Sequence, residues 1–390
     1  MFPNLPLWIK IVLSSGVAFL ISYLMVPPVK QFAERIDAVD QPDERRVNKI
    51  PIPRMGGLAI FVGFMLSLIL FVEMSQPVMG IMLGTLIIAC MGAVDDIVSL
   101  RPWVKLAGQL LAAAVAIRCG VVFRAISNPN FFSHITTIQI GYLSIPLTVL
   151  WILACTNAVN LIDGLDGLAV GVSTISSLTM LVVSLTVSEP VVSVILAALV
   201  GACIGFMPYN MNPAKIFMGD VGSQMLGFVL STVSILGLFK LHAIITFFVP
   251  LMALAVPLAD TVFAFFRRIF HGQSPFHADK KHFHHRLLAM GMSQKQAVAV
   301  LYGISAVMGL IAVLLTGESP VLRILCIVAA VVVALLLVWV VFFRCKRIAL
   351  PWQQPEGRHA AGAGSAPERQ NKERPQQRAH KLRPLFALFG

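Results

Sequence analysis

Charge is what this 390-residue sequence has least of. Charged residues make up 12% of it, about half the usual share, against 57% hydrophobic residues and a mean hydropathy of +0.84. So few charges cannot cover a soluble surface, which excludes the two or three soluble domains that the length alone would suggest. The composition is that of a polytopic membrane protein. Organised cysteine is lacking too. Cys90, Cys119, Cys155, Cys203, Cys326 and Cys345 lie in or at the ends of apolar runs and form no CxxC pair, so neither a disulfide framework nor a zinc site is implied. There is no internal repeat. The first apolar run has no basic start, and no small-residue cleavage site precedes Met25–Pro28, so it reads as a membrane helix rather than a signal peptide. The net charge of +12 does not point to nucleic acid, because residues 344–390 hold ten Lys/Arg against three Glu and carry +7 of it.

What is present is a series of eleven apolar segments near bilayer length, at roughly 7–26, 57–72, 78–94, 104–122, 143–162, 168–187, 191–209, 216–238, 243–263, 298–315 and 321–343. Only Ser188, Glu189 and Pro190 separate the sixth from the seventh. The connecting loops alternate in charge. Loops 27–56, 95–103, 210–215 and 264–297 hold fourteen Lys/Arg, and the opposite set holds only Arg124 and Lys240. The basic set is therefore expected in the cytoplasm, with the N-terminus outside and the C-terminus inside. The expected fold is an all-α polytopic integral membrane protein of about eleven transmembrane helices. Residues 1–343 form the membrane domain. Residues 344–390 form a basic cytoplasmic tail rich in Pro, Gln, Arg, Gly and Ala, which cannot bury a core and is expected to be disordered.

The acids are sorted. In this topology all ten aspartates (Asp37, Asp40, Asp43, Asp95, Asp96, Asp163, Asp166, Asp220, Asp260 and Asp279) fall in cytoplasmic loops or at the cytoplasmic ends of spans, whereas Glu73, Glu189 and Glu318 are outside. Solvation alone would not separate Asp from Glu. The sorting points to one cytoplasmic site gathered from many loops. Asp95, Asp96 and Asp220 in particular interrupt apolar runs, where an acid is costly and functional by default. Asp260 reads equally as a partner of Arg267 or Arg268, while Asp40 and Asp43 read as solvated or helix-capping. The adjacent pair Asp95–Asp96 repels unless a cation or a proton intervenes. Asn157, Asn160 and Asp163, spaced by three, share a helix face, and the run Asp163-Gly-Leu-Asp-Gly167 then breaks the helix. Hard oxygen donors without cysteine favour Mg²⁺, with Mn²⁺ second, over zinc. Mg²⁺ leaves positions open to phosphate, so spare carboxylates beside Lys and Arg suggest phosphate chemistry. The run from His277 to Arg286, with His282, His284 and His285, suits a polyanion clamp better than a zinc site.

Five blocks together resemble the polyprenyl-phosphate N-acetylhexosamine-1-phosphate transferases (glycosyltransferase family 4). They are Asp40–Arg45 with Pro51–Gly57; Asp95-Asp96 followed by Lys105; Asn157–Leu168; Asn212–Ser223; and His277–Arg286. The spread of the histidines resembles the N-acetylglucosamine branch more than the muramoyl-pentapeptide branch, which stays as the alternative. The resemblance implies transfer of a sugar 1-phosphate from a UDP-sugar to a polyprenyl phosphate in the cell membrane, with release of UMP, and it admits a homodimer. Asp95, Asp96, Lys105 and Asp163 are the implied catalytic group. Asp220 and Asn160, with Asn157 as the alternative, are the implied Mg²⁺ ligands. Asp166 is the implied reader of the uracil edge, and Arg54, His282, His284, His285 and Arg286 the implied sugar and phosphate binders. Asp95 is expected to position or deprotonate the acceptor for direct attack, with covalent catalysis as the second route. Three rival classes fit less well. A transporter should show paired repeats. An intramembrane aspartyl protease lacks its first Gly before Met218-Gly-Asp220, and a CDP-alcohol phosphotransferase motif fails after Asp166-Gly167.

Overall fold

A computed structural model describes residues 5–41, 51–123, 125–127, 137–237, 251–270 and 283–316, with short stretches at 324–325, 328–329 and 332–333. The tail 344–390 and most of the last apolar run lie outside the described residues. The helices, in chain order, are α1 (Leu7–Arg35), α2 (Gly57–Phe71), α3 (Gln76–Val98), α4 (Pro102–Arg118), α5 (Ser144–Ile162), α6 (Leu168–Thr186), α7 (Pro190–Asn210), α8 (Gly219–Gly237), α9 (Ala255–Phe270), α10 (Phe283–Ala289) and α11 (Gln294–Leu315). Among the described residues seven of these (α1, α3, α5, α6, α7, α8 and α11) are long and apolar enough to cross a membrane. Two short antiparallel hairpins, Val39–Asp40 with Ile52–Pro53 and Ala125–Ser127 with Thr137–Gln139, are the described strands. The molecule is an all-α multi-pass membrane protein.

The packing follows from the residue patterns. α1 buries Ser14, Ala18, Ser22, Val26, Val29 and Ala33, a single stripe at helical spacing. That stripe packs on α2 and α7, while Trp8, Val12, Leu20 and Leu24 on other faces are exposed, as suits contact with lipid. α8 lies at the centre, buried almost throughout from Val221 to Gly237, between α3 and α5. A Cβ on Gly57 would collide with the backbone of Gly222, so glycine is what lets α2 cross the start of α8 at backbone contact.

Several segment limits differ from the expected ones. The first apolar run was expected to end near residue 26, before Pro27-Pro28, but α1 continues through both prolines to Arg35. Val29 and Ala33 extend the buried stripe, and that packing outweighs the lost helical bonds. The run at 216–238 becomes helical only at Gly219, because the backbone of residues 217–218 bonds instead to 53–57: Phe217 N–H donates to Pro53 O (2.8 Å), Gly56 N–H to Phe217 O (2.9 Å) and Gly57 N–H to Met218 O (2.8 Å). Asp220 therefore stands at the second residue of α8, not one turn inside a span. α9 runs past 263 to Phe270. Between α6 and α7 the chain turns at Ser188 (φ 58°), so residues 168–210 are two helices, as the sequence suggests.

Candidate active site

The helix ends meet around a polar pocket of about 440 Å³, a volume suited to a small-molecule ligand. Its wall includes Asp40, Arg54, Asp96, Asn160, Asp163, Asp166, Asn210, Phe217, Asp220, His285 and Gln294. They come from the hairpin after α1, the end of α3, the α5–α6 turn, the α7–α8 loop, the start of α8, α10 and the start of α11.

Asp220 is the most engaged of the acids. Its Oδ2 accepts from Lys105 Nζ at 2.9 Å, and its Oδ1 accepts from Asn160 Nδ2. The same Asn160 Nδ2 donates to Ser223 Oγ at 2.8 Å. Lys105 stands in the first turn of α4 and forms an ion pair with Asp95 as well. Asp95 is 2% exposed, and its other oxygen accepts Leu100 N–H at 2.6 Å. Asp96 faces the other way. Its two oxygens accept Asp220 N–H (2.9 Å) and Val221 N–H (3.3 Å), so it caps α8 from the end of α3 and lies at the positive end of the helix dipole. Gly219 (φ 72°) lies against the Asp96 carboxylate, where any Cβ would collide.

The opposite wall is held by amides. Asp166 Oδ2 accepts from Asn212 Nδ2 (2.9 Å) and Ala214 N–H (3.1 Å), leaving Oδ1 for a ligand donor. Asn212 Nδ2 also donates to Gln294 Oε1 (2.9 Å), Gly167 N–H donates to Asn210 Oδ1 (3.2 Å), and Tyr302 Oη donates to Gly167 O (2.5 Å). The α5–α6 turn is thereby tied to α7 and α11. Gly167 takes φ 79°, which explains the glycine in the run that ends one helix and begins the next. Asp163 directly follows the last residue of α5. Burial, and then the charges of Asp220, Asp96 and Asp166, push its carboxyl up to about 8. The acids on this small wall are thus crowded enough that Asp163 keeps its proton at neutral pH.

Of the residues singled out in the sequence, Arg54, Asp96, Asn160, Asp163, Asp166, Asp220 and His285 share this wall. Asp95 and Lys105 stand behind Asp220 rather than on it. Arg286 is half-buried on α10. His284 belongs to the same helix, and its side chain, like the whole of His282, lies outside the described residues. Asn157 is one turn deeper than Asn160 and is bonded to Gln109 instead of facing the pocket. Asp40, read from the sequence as solvated or capping, is 8% exposed and paired with Arg54, because the hairpin pairs Asp40 with Ile52. Gln294, Asn210 and Asn212 were not anticipated. Each is a single neutral amide, without the charge that made the acids conspicuous.

A divalent cation fits this wall modestly. Among the described residues no three of His, Cys, Asp and Glu stand together as a ready-made cluster. The donor set is nevertheless hard oxygen. Asp220 with Asn160 could supply the one or two protein ligands that Mg²⁺ typically takes beside phosphate and water, and the acidic crowding that raises the Asp163 carboxyl is negative charge that a cation would relieve.

The fold and the wall define a class: a multi-pass membrane protein with an acid-rich polar pocket at the ends of its apolar helices, flanked by Lys105 and Arg54. Comparison with known proteins narrows it. Residues 78–238 match the model of glycosyl transferase family 4. The chain is 38% identical over 314 residues, 80% of this chain and 86% of the relative, to the "Probable undecaprenyl-phosphate N-acetylglucosaminyl 1-phosphate transferase" of Bacillus subtilis. It is 35% identical over 73% of its length to the decaprenyl-phosphate N-acetylglucosaminephosphotransferase of Mycobacterium tuberculosis, 77% of which is covered. It is 28% identical over 78% to the phospho-N-acetylmuramoyl-pentapeptide-transferase of Staphylococcus epidermidis, 98% of which is covered. The chain belongs to glycosyl transferase family 4, the family of polyprenyl-phosphate N-acetylhexosamine-1-phosphate transferases, and is an enzyme.

Proposed function

We propose that this enzyme transfers N-acetylglucosamine 1-phosphate from UDP-N-acetylglucosamine to undecaprenyl phosphate, releasing UMP, as the first membrane step of a cell-wall or surface glycan. The observation that carries the reading is the pocket that gathers Asp220, Asn160, Asp163, Asp166, Arg54 and His285 from separate parts of the chain. The higher identity to the two N-acetylglucosamine relatives than to the muramoyl-pentapeptide one supports the choice of sugar. The sorting of aspartates and basic loops supports a site on the cytoplasmic face of the cell membrane, an outside N-terminus and about eleven spans.

In this reading Asp166, held by Asn212 and Ala214, offers its remaining oxygen to the N3–H of uracil. Arg54, fixed by Asp40, and His285 donate to phosphate oxygens. Asp220 and Asn160 would hold Mg²⁺, which supplies positive charge to the pyrophosphate. An oxygen of the lipid phosphate attacks the sugar-bearing phosphorus, and the bond from that phosphorus to the bridging oxygen of UMP breaks. The acceptor's second pKa is near 6, so at pH 7 it is mostly the dianion and needs no base. The barrier lies in bringing two anions together, and Lys105, released from Asp220 by the incoming phosphates, offsets that repulsion. Asp95 is ion-paired with Lys105 through one oxygen and bonded to Leu100 N–H through the other, away from the pocket wall. That supports a positioning role, exerted through Lys105, over a nucleophilic one.

The test is purified enzyme with Mg²⁺, undecaprenyl phosphate and a panel of radiolabelled UDP-sugars. Label should enter the lipid from UDP-N-acetylglucosamine. Label entering only from the UDP-muramoyl-pentapeptide would contradict the assignment of the sugar.

A further inference from the structure

Behind the pocket wall lies a second polar layer that the mechanism does not use. Gln109 on α4 is 2% exposed and Gln224 on α8 is 1% exposed. Gln109 Nε2 donates to Gln224 Oε1 at 2.9 Å and to Asn157 Oδ1 at 3.3 Å, and Gln109 Oε1 accepts from Asn157 Nδ2 at 2.9 Å. Asn157 also donates to Leu153 O at 2.8 Å. The three amides belong to three different helices, Gln109 and Gln224 buried and Asn157 half-buried beside them, and among the described residues Gln224 Nε2 has no hydrogen-bond partner. A buried unpaired amide costs stability, so packing alone would favour apolar residues here.

Their register says what they do. Gln109 follows Lys105 by four residues on α4, Gln224 follows Asp220 by four on α8, and Asn157 precedes Asn160 by three on α5. Each amide therefore lies one helical turn, about 5.4 Å, below one member of the Lys105–Asp220–Asn160 set and on the same face. The two layers are the same three helices cross-linked twice. α4 packs on α3 and α5, and long side chains link it to α8 at both levels, Lys105 to Asp220 above and Gln109 to Gln224 below. The upper links must open when phosphate and cation enter, because Asp220 then exchanges its partners. The lower ones need not.

We infer that Gln109, with Asn157 and Gln224, is a positioning cluster that fixes the rotation of α4, α5 and α8, so that Lys105, Asn160 and Asp220 stay in register while their own contacts change. The cluster touches neither substrate nor cation. The inference rests on the Mg²⁺-dependent transfer proposed above, but its two readouts can fail separately from that proposal.

The variants are Gln109→Leu, which removes the partner of the buried Gln224 Oε1 and of the half-buried Asn157 Oδ1, and the triple variant Gln109→Leu, Asn157→Leu and Gln224→Met, which removes the whole layer. The triple variant should melt within a few degrees of the parent, since replacing all partners of a buried network by apolar groups is near neutral. It should still lose at least tenfold in kcat with KM for the lipid little changed, and bind Mn²⁺, read by electron paramagnetic resonance on the protein without substrates, at least tenfold more weakly. If the layer served stability only, the triple variant would recover full turnover and full Mn²⁺ affinity, and the inference would fall. Should either variant not fold, Gln224→Met alone removes one bridge. A weakening of about threefold in Mn²⁺ affinity or kcat supports the inference, and parental values for both overturn it. If the parent binds no Mn²⁺ or does not use UDP-N-acetylglucosamine, the metal or substrate reading has failed instead, and the other readout still decides the role of the layer.

Discussion

Among single residues, the five carboxyl groups on the pocket wall are not equivalent, and their surroundings sort them. Asp220 has a cation on one oxygen and an amide donor on the other, so it stays charged and available to exchange partners. Asp220→Asn keeps the shape and removes the charge. Turnover should fall by at least about a hundredfold, the scale of losing a principal electrostatic stabiliser, and near-parental steady-state rates would remove Asp220 from the metal site. Asp163 is the opposite case. Its carboxyl is raised from 3.8 to about 8 by burial and by its acidic neighbours. The folded protein therefore keeps a proton that the unfolded chain releases above pH 3.8, and this group costs stability progressively as pH rises from 3.8 to about 8. Asp163→Asn lifts that cost. In metal-free protein the variant's gain in melting temperature should be larger at pH 8 than at pH 5, and an equal or reversed gain would show that Asp163 is not held protonated.

At the scale of elements, the start of α8 is where the site is assembled. The backbone of residues 217–218 bonds to 53–57, which brings Arg54 to the pocket, and the carboxylate of Asp96 takes the first free N–H groups of the helix. Asp96→Asn keeps an acceptor but turns an N–H₂ toward those donors. It should cost about 1 kcal/mol of stability, in the range of a lost helix cap, and it should lower activity through a displaced Asp220. Thermal melting measured beside turnover checks this, and lost turnover with an unmoved melting point would mean that Asp96 acts on substrate directly. The sequence showed the acids because Asp95, Asp96, Asp163 and Asp220 break apolar runs, and it showed the α5–α6 break through the glycines at 164 and 167. It did not show Gln109 or Gln224. An isolated amide in an apolar helix looks incidental until three helices bring three of them together, and the only hint was the four-residue offset from Lys105 and from Asp220. Asp40 was misjudged for a related reason: its partner Arg54 is fourteen residues away, across a hairpin that hydropathy does not reveal.

At the scale of the whole molecule, the apolar helices place an acidic pocket at one end of a membrane domain, where a water-soluble donor and a lipid acceptor can both reach it. Charge sorting predicts which end. A cysteine placed between residues 36 and 56 should be labelled from the cytoplasm only, and one in 125–135 from outside only, whereas labelling of both from one side would invalidate the assigned orientation. The proposed reaction depends on direct attack of the lipid phosphate on the donor at this pocket. The most direct measurement is rapid-quench release of UMP from UDP-N-acetylglucosamine by stoichiometric enzyme, with and without undecaprenyl phosphate. Direct attack should give no UMP until the lipid is added, then UMP and labelled lipid in equal amounts. A burst of UMP without lipid, leaving sugar phosphate bound to the protein, would contradict it.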